Sequence, residues 1–472
     1  MMRLHKPSAM VLAVVGLTGC ASVNLNQSMQ TLNDVTAPMV TQTLVLAIND
    51  GQRQQLRAQA DELLAAPLNL NLAVDLMLVN SPEFQVLLAQ GYRDSALAAQ
   101  SGRLHNPVFN FERVTVGDEL EIGRLLSFGL FDLLSLPWRQ QAVSLHLHRV
   151  QLQLAADVIA QVVQVRAAWV DAVVAKQKQH YAQQVYDNAQ ASATLAQRME
   201  QVGNFTAIER IRQQLFYSDA TLGLAKARQE AVATREKLVR LLGLDEQQFK
   251  RLKLPDRLPN LPETFKKPEE VSQQATARLD VQMAKSAYDA ALKISGIESL
   301  SSFTDIEVGI RRDSVFDSES GDKSNPKGYE VDIQLPLFDW GGLKRDAFSA
   351  EVLAKANTLE AVIRAVNSNL RESYTNYRTA YDVAKHYQTE VIPMTEMLTE
   401  QNTYRYNGML IGTFELLEDS RNQVRLVESS IDAAANFLRA QLALDATLIG
   451  SPSDLSVAVS TQSQAVKATA GH

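Results

Sequence analysis

Two short segments in the second half of the chain alternate between apolar and polar positions. In SFTDIEVGIRRD (302–313), Ile306, Val308 and Ile310 alternate with Asp305, Glu307 and Arg311. In GYEVDIQLPLF (328–338), Tyr329, Val331, Ile333 and Leu335 alternate with Glu330, Asp332 and Gln334. A period of two gives each strand one greasy and one charged face. The intervening DSVFDSESGDKSNPKG is rich in Asp, Ser and Gly and reads as a polar loop. A less regular copy lies earlier, where NPVFNFERVTVG alternates Phe109 and Phe111 with Asn110 and Glu112, and a return strand runs through Leu120 and Ile122. The expected strands are about 107–116, 119–129, 303–313 and 328–338.

Helix dominates the rest. Ser81 caps and Pro82 opens a helix in the first half, with proline at the position where its missing N–H costs nothing. In the second half, Pro268 opens a helix that Gly296 is expected to close. Trp138 to about Gln201 contains neither proline nor glycine, and Leu343 to about Asn407 is interrupted only by Pro393. At 1.5 Å per residue each would reach about 95–100 Å if continuous, far more than a globular domain needs. Both turn back near a glycine and return through 207–242 and 413–449. On the last helix Leu417, Val424, Ile431 and Leu438 stand seven apart, the spacing of a coiled-coil seam, and alanines crowd the neighbouring positions.

The elements recur. Leu130-Phe131-Asp132 returns 207 positions later as Leu337-Phe338-Asp339, and His180-Tyr181 returns 206 positions later as His386-Tyr387. Glu209 lies 29 positions after His180, and Glu415 lies 29 after His386. The pattern predicts two tandem repeats, 70–268 and 269–450, each built of a helix, a β-hairpin and a long antiparallel helical hairpin.

The strands admit two readings. In an ordinary sandwich the apolar face is core and the charged face is solvated. In a transmembrane barrel the apolar face meets lipid and the charged face a watery lumen. Four strands cannot close a barrel, and lipid does not tolerate an open sheet edge, so the second reading requires several chains to pool their strands. Three copies give twelve strands and a generous bore.

Composition narrows the choice. The formal charge is −7 and no basic cluster appears, which argues against nucleic-acid binding. Beyond the N-terminus no uninterrupted apolar run approaches the length of a spanning helix. The single cysteine, Cys20, cannot form an internal disulfide. It follows Arg3, Lys6, the apolar run 9–17 and the small residues Thr18 and Gly19, the layout of a secretory signal peptide over 1–19. Leu17-Thr18-Gly19-Cys20 resembles the lipobox of bacterial lipoproteins, which implies acylation of Cys20, a lipidated segment over 20–69 and, with Ala21 next, export to the outer membrane. Residues 451–472 form a loose Ser/Ala/Thr tail, expected to be flexible.

Several stretches carry a wider resemblance. LHNPVF opening the first strand, LPLFDWGG leading from strand to long helix, and the tip sequences VGNFTAIER and YNGMLIGTFELLED are similar to the TolC-like outer-membrane efflux ducts, in their lipoprotein branch. The resemblance covers nearly the whole mature chain. It implies a mainly α fold with a small β part. As a homotrimer that fold makes a 12-stranded transmembrane β-barrel, continued by a 12-helix periplasmic α-barrel. It also implies a passive channel in the outer membrane of a Gram-negative bacterium, working with a periplasmic adaptor and an inner-membrane pump of the RND, ABC or MFS type. The first strand-to-helix passage, GLFDLLSLPWRQ, departs from the pattern: it lacks the Trp-Gly-Gly of the second and predicts a different bend.

In the resemblance the helical hairpin tips converge on an aperture narrowed by acidic residues early in the returning helices; Glu209, Glu415 and Glu418 match those positions, and Asp419 lies beside them. Carboxylates gathered around a threefold axis would attract cations and raise each other's pKa. Glu209 and Glu415 also fall in the first turn of a helix, where negative charge meets the macrodipole favourably. Gly203 and Gly412 are expected to supply positive φ at the reversals, and with Gly408 they mark the tip turns where an adaptor would dock. By alignment Met409 stands where the family has a single glycine.

No catalytic, cofactor or metal site is expected. His146 and His148 diverge on a helix, His180 and His386 lie away from any acidic cluster, and neither a phosphate loop nor zinc spacing appears. The rival reading is a lipid-anchored periplasmic coiled-coil scaffold whose strands form an ordinary sheet.

Overall fold

The computed structural model describes residues 24–450 apart from 118, 269–277, 302–305, 318–319 and 336, and the side chains within it other than those of 297–301, 413, 414, 417 and 418. The predicted signal peptide, Cys20 and the 451–472 tail lie outside the described residues. The chain divides into two compact units, each drawing on both halves of the sequence. Of the described residues, one comprises those up to Val35, with Leu88–Ala155 and Leu279–Ala365; the other comprises Thr36–Leu87, Ala156–Arg278 and those from Val366 to Gly450. The helices in chain order are α1 (Leu25–Thr36), α2 (Asp50–Leu63), α3 (Leu70–Asn80), α4 (Pro82–Gln100), α5 (Leu130–Gln201), α6 (Ala207–Leu242), α7 (Glu246–Arg251), α8 (Leu279–Ser301), α9 (Gly342–His386), α10 (Ile392–Asn407) and α11 (Thr413–Ile449). The strands are β1 (Val108–Val116), β2 (Glu119–Gly129), β3 (Ile306–Arg312), β4 (Ser314–Asp317), β5 (Lys323–Ser324) and β6 (Lys327–Ile333).

The first unit is organised by an antiparallel sheet. β1 pairs with β2, β2 with both β3 and β4, and β3 with β6. One register carries from Leu125 opposite Arg311 to Ile122 opposite Ser314, so β3 and β4 are a single strand broken at Asp313. β5 and β6 are likewise in register, with Asn325 and Pro326 between them. The break has a local cause: Asp313 donates its N–H to the Pro326 carbonyl at 3.1 Å, but proline has no N–H to return. Two hairpins therefore supply four long strands. The stretch predicted as a polar loop contributes β4 and β5, because its Val315 and Phe316 find cross-strand partners in Ser324 and Lys323. The last strand ends at Ile333 instead of 338. Beyond it Leu337 donates to the Leu335 carbonyl.

The register partitions charge between the two faces. Glu112, Glu119, Glu121, Glu307, Asp317, Glu330 and Asp332, all the acidic residues within these strands, share one face with Arg311. The other face carries Phe109, Phe111, Leu126, Ile310, Tyr329, Val331 and Ile333, all exposed. Among the described residues β1 and β6 are each paired on one side only, so the sheet has two free edges.

Helices in this unit also depart from the expected bounds. α5 begins at Leu130, eight residues before Trp138, directly from β2 and with Pro137 inside it. No glycine interrupts the leucine-rich first turns, and Asp132, in the first turn, accepts from Arg139 at 2.6 Å. The second passage instead bends through Gly341, at φ +68°, before α9 starts. α8 runs through Gly296 to Ser301, since nothing after that glycine breaks a helix; the expected start at Pro268 is followed by residues outside the description. At Gly91 on α4, a Cβ would lie 2.5 Å from a Leu154 methyl of α5, so glycine permits that close approach.

In the second unit, Tyr377, Tyr381 and Ala384 of α9 pack with Ala433, Phe437, Ala440, Leu444 and Leu448 of α11. This buried stripe is displaced from the predicted seam: Ile431 is buried, whereas Val424 and Leu438 are half-buried and Leu417 is outside the described side chains. Pro393 is accommodated by a π turn, Tyr387–Val391, between α9 and α10. The wider turn relieves the clash of its ring with the preceding carbonyls. By length and composition α5 could cross a bilayer, with a window of mean hydropathy 1.5. Polar residues punctuate that window, so the sequence shows no uninterrupted run. It is 72% buried inside the protein, as befits the core helix of a bundle.

Candidate functional site

The two helical hairpins of the second unit reverse by the same device. At the first, Gly203 donates to Glu200 (3.0 Å) and Asn204 to Met199 (2.8 Å). At the second, Met409 donates to Tyr406 (2.9 Å) and Leu410 to Arg405 (2.8 Å). Each pair closes a helix with a Schellman motif, which requires a left-handed residue just past the end. Gly203 fills it at φ +79° and Met409 at φ +58°. Gly408 and Gly412, at φ −80° and −84°, do not. The expectation that Gly412 supplies the positive φ is thus corrected: it is the N-cap of α11, and Met409 occupies the strained position.

The acids divide by what already holds them. Glu209 belongs to a capping box. Its Oε2 accepts from the Thr206 N–H at 2.6 Å and hydroxyl at 2.9 Å, and its own N–H donates to Thr206 Oγ1 at 3.3 Å. These bonds from Thr206, backbone first and side chain next, hold the Glu209 carboxyl below the usual glutamate value. Asp419 accepts from Nδ2 of the buried Asn402. Glu415 occupies the position in α11 that Glu209 holds in α6, but Gly412 has no side chain to cap with. Its carboxylate is exposed and lies 3.7 Å from Arg405 Nη1. The backbone of Glu418 continues α11, and its side chain is outside the described residues. Within one chain the structure brings Glu415, Arg405, Asn402 and Asp419 together at the second tip, while Glu209 stands with Thr206 at the first. Asn402 was not legible as part of this group; only its position about two turns before Met409 hinted at it.

A second constellation lies on the charged face of the sheet. Arg311 places its Nε 2.8 Å from Asp313 Oδ2, and its guanidinium lies 3.7 Å from Glu330, 3.8 Å from Glu112 and 3.9 Å from Glu121. Four carboxylates from four segments thus converge on one cation. The alternation placed Arg311 on the polar face, but only the register reveals its neighbours.

A helical-hairpin protein with an amphipathic, edge-open sheet is defined by these features: the fold is that of the TolC-like outer-membrane channels. Among solved structures the chain is similar to a membrane protein from Pseudomonas aeruginosa, at 17% identity over 80% of this chain and 93% of that one, TM-score 0.68. It is also similar to the outer membrane protein VceC of Vibrio cholerae, at 14% identity over 84% and 98%, TM-score 0.67. The CmeC outer membrane channel of Campylobacter jejuni matches at 13% identity over 89% and 92%, TM-score 0.65. These neighbours include outer-membrane channels, and at such identities the likeness is one of fold. No protein-family model matches the chain, and no curated protein does.

Proposed function

We propose that the chain is the outer-membrane channel of a tripartite efflux or export system, a passive duct that receives substrates from a periplasmic adaptor and an inner-membrane pump of the RND, ABC or MFS type. The observation that carries this reading is the sheet: two free edges, an exposed apolar face and an opposite face holding every strand acid. A soluble sheet would bury its apolar face, whereas a lipid-facing one leaves it bare and must close its edges. Three chains would close them, as a homotrimer with a 12-stranded barrel and a 12-helix periplasmic extension, each chain contributing the repeats 70–268 and 269–450. Cys20 would anchor the mature chain to lipid in the outer membrane. Glu415 and Glu418 would line the periplasmic aperture, flanked by Asp419 and Glu209, and the turns around Gly203, Gly408 and Gly412 would meet the adaptor.

The test is purification in mild detergent followed by unheated gel electrophoresis and planar-bilayer recording. The expected result is a heat-resistant trimer with stepwise conductance. A stable monomer without conductance would replace the duct with the scaffold reading.

A further inference from the structure

The apolar face of the sheet is not uniformly apolar. Arg113, Arg124, Arg312, Lys323 and Lys327 all lie on it, and no acidic residue of the strands does. They sit from mid-strand toward the hairpin turns. Rows such as Leu126 with Ile310 and Tyr329, or Val308 with Val331, occupy the half nearer the strand ends that lead to α5 and α9. The cations occupy the half nearer the hairpin turns. Arg312 is directly opposite Lys327, and the register that sets Leu125 opposite Arg311 puts Arg124 beside Arg312. Three cations thus cross three adjacent strands in a row about 10 Å wide. Arg124 hydrogen bonds to the Ser314 hydroxyl at 3.3 Å, and Lys323 lies 4.7 Å from the Phe316 ring centre. Among the described residues no carboxylate pairs with any of the five.

We propose that this row is a binding belt for the phosphate headgroups of an anionic lipid leaflet. The inference rests on the channel reading, in which the helices lead into the periplasm and the hairpin turns face outward, so the belt meets the outer leaflet. Like-charged neighbours with no carboxylate among them repel one another unless an anion lies between them. Arginine offers a planar fork matched to phosphate, and both arginine and lysine can extend past an apolar band to reach it. A second copy stacked through the same face would instead set cation against cation.

The full-length protein in detergent, titrated with bis-phosphorylated lipid A, its dephosphorylated form and inorganic phosphate, tests this by native mass spectrometry. Lipid A should be retained at least tenfold more strongly than the dephosphorylated lipid, and inorganic phosphate at equal phosphate concentration should not displace it. The variant R124Q/R312Q/K327Q should weaken lipid A retention at least tenfold, and R124K/R312K should restore most of it. Equal retention of the two lipids, displacement by inorganic phosphate, or full retention by the triple glutamine variant would overturn the belt. Should that variant fail to assemble, the comparison of lipids on the unaltered protein decides. Planar-bilayer conductance separates the two readings: a conducting protein indifferent to lipid phosphate loses the belt and keeps the duct, whereas a protein that never conducts loses the duct.

Discussion

The two hairpin tips solve the same geometric problem with different residues. At the first, Gly203 takes the left-handed position, Thr206 caps α6, and Glu209 closes the box. At the second, 206 positions later in each case, Met409 and Gly412 stand where Gly203 and Thr206 would. A non-glycine residue at positive φ costs roughly 1–2 kcal/mol, and a glycine N-cap offers no side-chain oxygen to the first-turn N–H groups. The first tip is therefore built to hold still. The second stores strain and leaves Glu415 exposed, with only a 3.7 Å contact to Arg405. Local opening should concentrate where such strain and solvent exposure coincide, which makes the second tip the more apt to move.

The largest expected effect separates the acids. Neutralising Glu415 and Glu418 together, E415Q/E418Q, should reduce cation selectivity several-fold in planar bilayers, while E209Q should change it less, because that carboxylate is folded back onto Thr206. Unchanged reversal potentials in the double variant would remove Glu415 and Glu418 from the aperture.

Exchanging the left-handed residues comes next. Gly203→Met should lower protection of the first tip by about 1–2 kcal/mol in amide hydrogen exchange, and Met409→Gly should raise that of the second by about 0.5–1 kcal/mol. Equal responses at both tips would contradict the asymmetry. Capping should respond less evenly. Thr206→Ala should cost the first tip about 1 kcal/mol, and Gly412→Ser should stabilise the second by only a few tenths, both read by the same exchange experiment.

The smallest effect is a pH dependence. Because Glu209 has a depressed folded-state pKa, its contribution is present above the unfolded glutamate value and is lost as pH falls through the folded one. Unaltered protein should therefore exceed E209Q in thermal stability near neutral pH, with the difference shrinking on acidification below the usual glutamate range. A difference that stays constant with pH would mean that the carboxylate charge contributes nothing to the cap.

Much of this was legible because it is local. Alternation over 306–311 and 329–333 displays strand faces within a few residues, and Ser81-Pro82 announces the start of α4. The tip near Gly203 was visible because glycine is the ordinary residue for its backbone. The tip at Met409 misled for the same reason: two glycines flank the position, and sequence assigned the left-handed conformation to Gly412. Strand ends misled because pairing sets them. Val315 and Phe316 look like loop until Ser324 and Lys323 lie opposite, while Gln334 and Leu335 continue the alternation past the end of β6 at Ile333. The Gly296 stop and the Trp138 start failed because one glycine or proline does not end a helix whose neighbours favour it.

By itself the sequence determined the repeated helix and hairpin pattern, the two faces of each strand and the presence of two tight reversals. Each follows from side-chain period and backbone preference over short spans. Tertiary structure alone decided that β2 pairs with β3, that five cations gather in the half of the apolar face nearer the hairpin turns, and that four carboxylates converge on Arg311. Those outcomes depend on hydrogen bonds and charge pairings between residues far apart in the chain, and no local pattern encodes them.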